Sequence, residues 1–300
     1  MRGLKEEARQ RGVSDKVIKR ALKGVRPVPQ VIEKDRNQPE FKLTFEDYMK
    51  RMVTDHRIKL GVDMMQKHEV LLRQVSEKYG VPEAIIVAIW GMESSYGNFM
   101  GTWDIVAALV TLAYDKQQPS RAKYFREELI NSLFILQDGH ASYDTLRGSW
   151  AGAMGQCQFM PSSFRNFAVD FDGDGKADIW TSPADVAASI ANYLAKHGWK
   201  TGEPYFEEVV TPKAVKPDLL GLKVQKPAGE WRDTYGVLSQ SEPATLPPDC
   251  LASLVTTDGS FGPSYLATQN VSVVLRYNKS LFYALAVGHI AKSIQTASRT

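Results

Sequence analysis

A single glutamate interrupts an apolar stretch of the chain at a position where a helix would place a hydrophobic residue. The segment IVAIWGMESSYGNF, residues 86–99, follows Pro82, which suits the first turn of a helix. At about 100° per residue, Glu93 shares a helix face with Ile89 and Trp90. A helix that is apolar on nearly all sides belongs inside a domain, so we expect Glu93 in or beside a core. An ionised carboxylate is costly there unless it is paired, which leaves two interpretations: a structural ion-pair partner or a functional acid.

The residues around Glu93 favour the functional interpretation. Ser94, Ser95, Tyr96 and Gly97 are small or polar, as the edge of a cleft would be. Partial burial raises the pKa of a carboxyl group, and a proton donor that works near neutral pH needs a raised pKa. The five histidines lack the spacing of a zinc site, and no serine or cysteine lies in a nucleophile elbow. Glu93 is therefore the leading candidate for acid–base chemistry.

A second unusual segment, GSWAGAMGQCQFMPSSF at residues 148–164, is rich in small residues. Its small members are Gly148, Ser149, Ala151, Gly152, Ala153 and Gly155. Such a run lets the backbone approach a ligand or another element closely. Hydrogen-bonding groups follow at Gln156, Gln158, Ser162 and Ser163, with Phe159 and Met160 as apolar walls. The segment is either a ligand-binding loop or a tight helix-packing segment, and it lacks the Lys-Ser/Thr of a phosphate-binding loop.

The third segment, DFDGDGKADIWTSPAD at residues 170–185, has the opening half of a calcium loop. Its candidate ligands are the carboxylates of Asp170, Asp172 and Asp174 and the carbonyl of Lys176, with Gly175 at the bend. The twelfth position is Thr181 rather than the usual glutamate, and Asp185 would close the shell of a longer loop. The alternative is a metal-free turn, but three crowded carboxylates repel one another without a cation, which favours binding.

The hydrophobic pattern predicts the elements that position these segments. Helices are expected over 4–25 (one or a pair), 45–78, 80–95, 104–114, 120–138, 183–197 and after Ser280, and the Pro-bearing stretch 26–42 is expected to be a connector. Prolines and short β-favouring runs between about 201 and 265 predict a small β-rich insertion. The fold class is mainly α (α+β). The predicted division is 1–75, an N-terminal helical lobe; 76–200, a catalytic core with the calcium loop; 201–265, the β-rich insertion; and 266–300, a helix that returns to the core.

Composition indicates an ordinary soluble globular protein. The 300 residues are 43% hydrophobic and 24% charged with a net charge of +3, which is too balanced to indicate a nucleic-acid partner. No stretch approaches the roughly 18 apolar residues of a membrane span. The charged N-terminus is not a signal peptide, so an exported protein would have lost its targeting segment here. Two cysteines, Cys157 and Cys250, cannot build a disulfide framework, and a single bridge stays open.

Four stretches together carry a resemblance to a known family. GMESSYGNFMG, GSWAGAMGQCQFMPSSFRNFAVDFDGDG, IANYLAKHGW and RYNKSLFYALAVGHIA occur in the order seen in the B-type lytic transglycosylases of Gram-negative bacteria, membrane-bound and soluble. The chain resembles this family from about residue 40 to 293. The resemblance implies a lysozyme-like helical core that cleaves the β-1,4 bond between N-acetylmuramic acid (MurNAc) and N-acetylglucosamine (GlcNAc) in peptidoglycan without adding water.

The resemblance also implies a mechanism that needs only one carboxyl group. Most glycosidases use two, and substrate-assisted enzymes are the exception. Glu93 would protonate the glycosidic oxygen, and the acetamido oxygen of the substrate would attack the anomeric carbon. Glu93, now a carboxylate, would then take the proton of the muramic 6-hydroxyl as a 1,6-anhydro ring closes.

Further site residues are implied by their match to the family motifs. Ser149 matches a serine that holds the acetamido group, and the other implied substrate contacts are Gln158, Phe159, Tyr193, Tyr277, Tyr283, Arg121 and Tyr48. The tyrosines and Phe159 would offer flat surfaces to sugar rings, the alternative being that they are core residues. Asp170, Asp172, Asp174, Lys176 and Asp185 match a long calcium loop. Ser120 stands where the family often has a second arginine before Arg121, and Cys157 stands where a smaller residue is expected, in a wall of the cleft.

These observations predict a lytic transglycosylase, a glycosidic-bond lyase with no catalytic cofactor and a structural Ca²⁺. A hydrolysing muramidase and an inactive, calcium-stabilised peptidoglycan-binding scaffold are the alternatives. The expected partners are peptidoglycan glycan strands, with other cell-wall enzymes as candidates and no nucleic acid. We expect a monomer in the periplasm, either soluble or, in a full-length form, an outer-membrane lipoprotein.

Overall fold

The chain divides into two compact units in the computed structural model, which describes residues 2–37, 43–115, 117–211, 215–258 and 262–298. Unit 1 comprises Met1–Lys42 and Ile89–Asn192, and unit 2 comprises Leu43–Ala88 and Tyr193–Thr300. Each unit therefore combines two separate stretches of the chain. The four-part division that the sequence predicts stays a prediction, because it concerns lobes of the fold rather than compact units.

Helices dominate the described part of the chain. They are α1 (Arg2–Gln10), α2 (Asp15–Ala21), α3 (Pro29–Arg36), α4 (Phe45–Met52), α5 (Asp55–Lys67), α6 (Glu69–Tyr79), α7 (Glu83–Ser94), α8 (Ile105–Ala113), α9 (Pro119–Gln137), α10 (Pro161–Phe167), α11 (Pro183–Lys196), α12 (Ala228–Asp233), α13 (Gln269–Tyr277) and α14 (Leu281–Ala297). Among the described residues, every helix falls short of the length and apolar character that a membrane span requires. The division between the units falls within α7 and α11.

Unit 1 is built around the packing of α8 against α9. Asp104 caps α8 by accepting a hydrogen bond from the amide of Ala107, and Leu109, Leu129 and Leu133 are completely buried. α2, α3 and α10 pack on this pair. Two short strands, β1 (Trp103–Asp104) and β2 (Arg147–Gly148), form an antiparallel pair that joins the start of α8 to the small-residue segment.

Unit 2 contains an antiparallel sheet and its own helices. The strands are β3 (Phe206–Val210), β4 (Lys226–Pro227), β5 (Leu238–Ser239), β6 (Leu251–Thr256) and β7 (Ser264–Ala267), in the order β4-β6-β7-β3-β5. Trp231, Leu254 and Leu266 lie in a small core under this sheet. α14 packs against α4, α5 and α13.

The prediction of a mainly helical chain with a small antiparallel sheet is confirmed. The N-terminal region forms a helical pair, α1 and α2, and the sheet begins within the predicted insertion and ends at Ala267, two residues beyond it. α3 was not predicted, since its prolines suggested a connector. Pro29 instead occupies the first turn of α3, where its fixed φ suits a helix and its missing amide proton costs no bond.

Candidate active site

α7 places Glu93 at the point where a buried helix reaches the surface. Ile86, Ile89 and Trp90 on its predicted face are buried, as is Val87 on the opposite side, whereas Glu93 is half-buried. The prediction that this helix lies inside the fold with Glu93 at the edge of a core is confirmed. The charge of Glu93 contributes to the raised pKa of the Cys157 thiol, after burial of that thiol, which places the two side chains near each other.

The turn that follows α7 is held in a strained conformation. Ser95 and Tyr96 have φ angles of 47° and 59°, and Gly97 has a φ of 88°. Non-glycine residues in this region cost about 1–3 kcal/mol each, and such strain concentrates at functional sites. A Cβ at Gly97 would lie 2.6 Å from Oε1 of Gln156, so only glycine fits. The chain therefore bends sharply away from Glu93 and close to the small-residue segment.

Gln156 joins the end of α7 to the acidic loop. Its Oε1 accepts a hydrogen bond from Nε1 of Trp90 at 2.8 Å, and its Nε2 donates to the carbonyl of Trp180 at 2.8 Å. Its main chain also participates: its amide donates to the carbonyl of Ile179, and its carbonyl accepts from Oγ of Ser94 at 2.9 Å. One buried residue therefore ties the helix that carries Glu93 to the loop that follows Asp178.

We expect Gln156→Met to lower the free energy of unfolding by about 1–3 kcal/mol, the cost of leaving a buried polar group unpaired. Methionine has nearly the same length, but its thioether is only a weak acceptor for the Trp90 indole and cannot donate to the carbonyl of Trp180. Chemical denaturation with tryptophan fluorescence measures the loss, and Gln66→Met on an exposed helical position is the matched control. Equal stability of the two variants would show that the Trp90–Gln156 bond contributes nothing.

The small-residue segment brings the hydroxyl of Ser149 into a defined orientation. Oγ of Ser149 accepts hydrogen bonds from the amides of Ala151, at 3.3 Å, and Ala153, at 3.0 Å. A serine hydroxyl has two acceptor positions and one donor, so these amides leave the hydroxyl hydrogen to donate. A Cβ at Gly148 would lie 2.0 Å from the carbonyl of Ala153, which explains why the tight loop needs glycine there.

Gln158 is tied to the stretch that follows Glu93. Its φ is 49°, and its Nε2 donates to the carbonyls of Met100 at 3.0 Å and Gly155 at 2.8 Å. A Cβ at Gly101 would lie 2.2 Å from the carbonyl of Gly148, so the two backbones are in close contact. Unit 1 therefore brings residues 93–101 and 148–158 together, and both stretches were singled out from the sequence.

Two neighbouring residues differ from expectation in their exposure. Phe159 was expected to offer a flat surface to a sugar, but its side chain is only 2% exposed and packs in the core. Cys157 was expected in a cleft wall and is completely buried, with its thiol 3.6 Å from the carbonyl of Val186. Within the described ranges neither Cys157 nor Cys250 is in a disulfide. Both side chains lie in the core, on either side of Gln158 along the chain.

Arg121 is held by an acidic partner from the N-terminal region. Its Nη2 lies 2.7 Å from Oδ1 of Asp35, whose side chain is buried, and its Nη1 donates to Oε1 of Gln118 at 3.3 Å. The guanidinium remains partly exposed. Its predicted contact with substrate stays a prediction, and Asp35 is the group that fixes its orientation.

The four predicted tyrosines all belong to unit 2. Tyr193 is 8% exposed and its hydroxyl donates to the carbonyl of Arg276 at 2.6 Å, while Tyr277, which is half-buried, contacts it edge to face at 4.8 Å. Tyr283 is 4% exposed, and Tyr48 is half-buried beside Phe282. The expectation of exposed rings is therefore wrong for Tyr193 and Tyr283, which pack as core residues. Their roles as substrate contacts stay predictions.

The acidic loop gathers three carboxylates into one cluster. Ligand atoms of Asp170, Asp172 and Asp174 lie within 4.8 Å of one another, and Asp172 and Asp174 are exposed. The loop is shaped by its own amides, since Gly173 and Gly175 donate to Asp170 at 2.7 and 2.8 Å. Hard carboxylate oxygens at this spacing fit a hard divalent cation.

Asp185 organises this loop from its buried side. Its carboxylate accepts hydrogen bonds at 2.7 Å from the amides of Phe171 and Asp178. Burial raises the pKa of Asp185, and these amide bonds offset the effect only in part. The amide of Lys176 donates to Asp174, so Lys176 belongs to the same turn as the clustered carboxylates. The predicted ligand roles of Asp185 and the Lys176 carbonyl stay predictions.

The sequence did not predict the structural roles of three residues that shape the site. Gln156 was recorded only as a polar group, Asp35 lay in a presumed connector, and Asp178 accepts bonds from the amides of Trp180 and Thr181. An aspartate that accepts a bond from the amide two residues later forms an Asx turn, so the sequence could have predicted the role of Asp178. The other two roles depend on partners far away in the sequence.

Comparison with known proteins gives a consistent result over almost the whole chain. The profile of the transglycosylase SLT domain family matches residues 1–292. Membrane-bound lytic murein transglycosylase B of Escherichia coli K12 is 35% identical over 256 residues, which cover 83% of this chain and 67% of that protein. SltB3 from Pseudomonas aeruginosa, solved with NAG-anhNAM-pentapeptide, is 40% identical with a TM-score of 0.90 over 98% of this chain and 78% of that one. The Escherichia coli transglycosylase Slt35 in complex with calcium is 30% identical with a TM-score of 0.86 over 100% and 93% of the two chains.

The mainly helical, lysozyme-like fold and these matches define the class as a glycan-cleaving enzyme. The chain belongs to the transglycosylase SLT domain family. It is a peptidoglycan lytic transglycosylase.

Proposed function

We propose that Glu93 is the only carboxyl group that acts chemically in this lytic transglycosylase, first as an acid and then as a base. The observation that carries this proposal is its position: Glu93 is half-buried at the end of α7 and borders the strained turn that contacts the small-residue segment. A carboxyl group at this place acts as an acid when it carries a proton. It would donate that proton to the glycosidic oxygen as the bond to the anomeric carbon of MurNAc breaks.

The substrate supplies the groups that complete the reaction. The acetamido oxygen of MurNAc forms a bond to the anomeric carbon, and the GlcNAc alcohol leaves with the proton from Glu93. The Glu93 carboxylate then accepts the proton of the muramic 6-hydroxyl, whose oxygen attacks the same carbon and displaces the acetamido oxygen. The product is a 1,6-anhydro end, and Glu93 regains its proton.

Ser149 supports the acetamido group in this scheme. Because two backbone amides occupy its acceptor positions, its hydroxyl can only donate, so it would hold the acetamido group through an acceptor atom. The Nε2 of Gln158 donates to the main-chain carbonyls of Met100 and Gly155. Its Oε1 would therefore be the atom that accepts a hydrogen bond from a sugar hydroxyl or amide group. Arg121, Tyr48 and Tyr277 would complete the set of substrate contacts, whereas Phe159, Tyr193 and Tyr283, whose rings are buried, would support these groups from the core.

The acidic loop would hold a structural Ca²⁺ rather than a catalytic one. The donor set is Asp170, Asp172, Asp174, the carbonyl of Lys176 and Asp185, and the three clustered carboxylates support it. A cation there would supply charge compensation to the loop. Gln156 connects the loop to α7 through the carbonyl of Trp180, so the ion would stabilise the site without touching the sugar.

We expect calcium to raise the melting temperature, because a cation that binds only the native state stabilises it by about 2.7 kcal/mol at a hundredfold excess over its Kd. Asp172→Ala with Asp174→Ala should remove this increment and keep substantial activity at low temperature. Asp138→Ala with Asp144→Ala changes the charge equally at exposed positions outside the loop and is the matched control. A wild-type melting curve that responds to neither calcium nor chelator would reduce the loop to a plain turn.

The setting of the enzyme follows from its substrate. Peptidoglycan glycan strands are its proposed partners, other cell-wall enzymes are candidates, and the proposed state is a monomer in the periplasm. Of the four predicted lobes, 76–200 would be the catalytic core. The lobes 1–75, 201–265 and 266–300 would surround it.

Mass spectrometry of digested sacculi tests the proposed reaction. Anhydro-muropeptides are the expected products. Products heavier by one water would instead identify a hydrolysing muramidase, and unchanged sacculi would identify a binding scaffold.

A further inference from the structure

Phe99 is an exposed aromatic residue in a stretch of chain that is otherwise tightly fixed. Its side chain is 76% exposed, the highest value among the large hydrophobic residues that the structure describes as exposed. It lies five residues after Ser94, at the end of the turn that follows Glu93. A single exposed apolar residue is common on protein surfaces, so the role of this ring depends on what lies beside it.

The backbone on both sides of Phe99 is fixed by hydrogen bonds and close contacts. Its own amide donates to the carbonyl of Ser94 at 2.9 Å, and the side-chain amide of Asn98 donates to the carbonyl of Ser95 at 2.7 Å. On the other side, the carbonyl of Met100 accepts from Gln158 at 3.0 Å. Gly101 then packs directly on the backbone of residues 148–149. The backbone that carries the ring is therefore fixed and does not belong to a loose loop.

The same contacts determine what lies beside Phe99. The two residues that follow Phe99 contact Gln158 and the backbone of Ser149, and the turn before Phe99 starts after Ser94, the neighbour of Glu93. A glycan strand that reached Glu93, Ser149 and Gln158 would pass the segment that carries this ring. The two faces of a pyranose ring differ, and the one lined by C–H groups packs well on an aromatic ring. Hydroxyl and acetamido groups at its rim remain hydrated.

We propose that Phe99 is a stacking platform for a hexopyranose ring of the glycan strand, adjacent to the sugar on which Glu93 acts. This inference rests on the proposed roles of Glu93, Ser149 and Gln158. It adds a contact that those residues do not supply, because they recognise polar groups and Phe99 would recognise the apolar face of a sugar. Phe99 would contribute to ground-state and transition-state binding alike, since it would contact a sugar other than the one whose bonds change.

The test measures binding of a peptide-free tetrasaccharide of alternating GlcNAc and MurNAc, in a Glu93→Gln background that prevents cleavage. Phe99→Ala should raise the Kd about tenfold, and Phe99→Trp should keep it within about twofold of the parent, because it restores an aromatic face. In the Phe99→Trp variant, the fluorescence of the new indole should become less accessible to acrylamide when the sugar binds. Leu238→Ala, an exposed apolar position in unit 2, is the control and should leave the Kd unchanged.

Steady-state kinetics with Glu93 intact separates binding from chemistry. Phe99→Ala should raise KM about tenfold and leave kcat within about twofold, the pattern of a uniform binding contribution. An unchanged Kd and KM in a Phe99→Ala variant with a normal melting temperature would overturn the proposal, and the ring would then serve contact with another molecule. That outcome would leave the role of Glu93 intact, since the proposed function fails only if Glu93→Gln remains active or the products carry water.

Discussion

Glu93→Gln should abolish turnover and leave the fold intact. The amide is nearly isosteric with the carboxyl group and is easier to desolvate, so the half-buried end of α7 accommodates it. An amide can neither donate the first proton nor accept the second. General acid–base groups contribute about 10²–10⁴-fold, and a residue in both roles should lie at or above the upper end. The rate of release of soluble muropeptides from sacculi measures the loss.

Glu83→Gln is the matched control for this variant. Glu83 begins the same helix and is also half-buried, but it lies at the opposite end from the strained turn. We expect wild-type activity for Glu83→Gln and unchanged melting temperatures for both variants. If Glu93→Gln kept more than about a tenth of wild-type activity, the acid–base assignment would be abandoned and Glu93 re-examined as an ion-pair partner.

Glu207→Ala should lower the free energy of unfolding by about 3–5 kcal/mol, the usual cost of breaking a buried ion pair. The Glu207 side chain is completely buried, and its Oε2 accepts from Nη2 of Arg232 at 2.9 Å. Its Oε1 accepts from Oγ of Ser239 at 2.9 Å and from the amide of Thr245 at 2.5 Å. Removing the carboxylate leaves a mostly buried guanidinium without its charge partner. Denaturant titration followed by circular dichroism measures the difference.

The loss in Glu207→Ala should depend on pH. Burial raises the pKa of Glu207. The hydrogen bonds from Arg232, Ser239 and Thr245 lower it by more, so the net pKa lies below its usual value. A lowered native pKa means that the stabilisation is present above the unfolded value of about 4.3 and is lost as the pH falls through the native pKa. Wild type and variant should therefore converge in acid. Glu208→Ala, which removes a surface pair with Lys292, should cost under about 1 kcal/mol, and an equal cost for both would contradict the account.

The position of Glu93 could be predicted because it depends on local periodicity. A helix repeats every 3.6 residues, so the burial of Ile89 and Trp90 and the half-burial of Glu93 follow from their spacing. The acidic loop was predictable for a similar reason, since Asp170, Asp172 and Asp174 alternate within one turn. Short-range patterns of this kind do not depend on the rest of the fold.

The burial of the aromatic residues could not be predicted, because it depends on distant packing. Phe159 and Tyr283 have the composition of either a sugar platform or a core residue, and only the tertiary structure decides between them. The pairing of Arg121 with Asp35 joins residues 86 positions apart, and that of Glu207 with Arg232 and Ser239 joins a strand to a helix and a second strand. Phe99 was overlooked for the opposite reason, since a lone apolar residue in a turn gives no periodic signal.

Digestion of sacculi in heavy-oxygen water tests the central claim most directly, since it follows the fate of the bond on which Glu93 acts. If the muramic 6-hydroxyl closes the ring under the control of Glu93, every new muramic end is the 1,6-anhydro form and carries no solvent oxygen. Mass spectrometry of the released muropeptides should therefore show unlabelled anhydro ends for the wild-type enzyme and no released products for Glu93→Gln. Reducing muramic ends that carry heavy oxygen would contradict the account, because water would then have been the nucleophile.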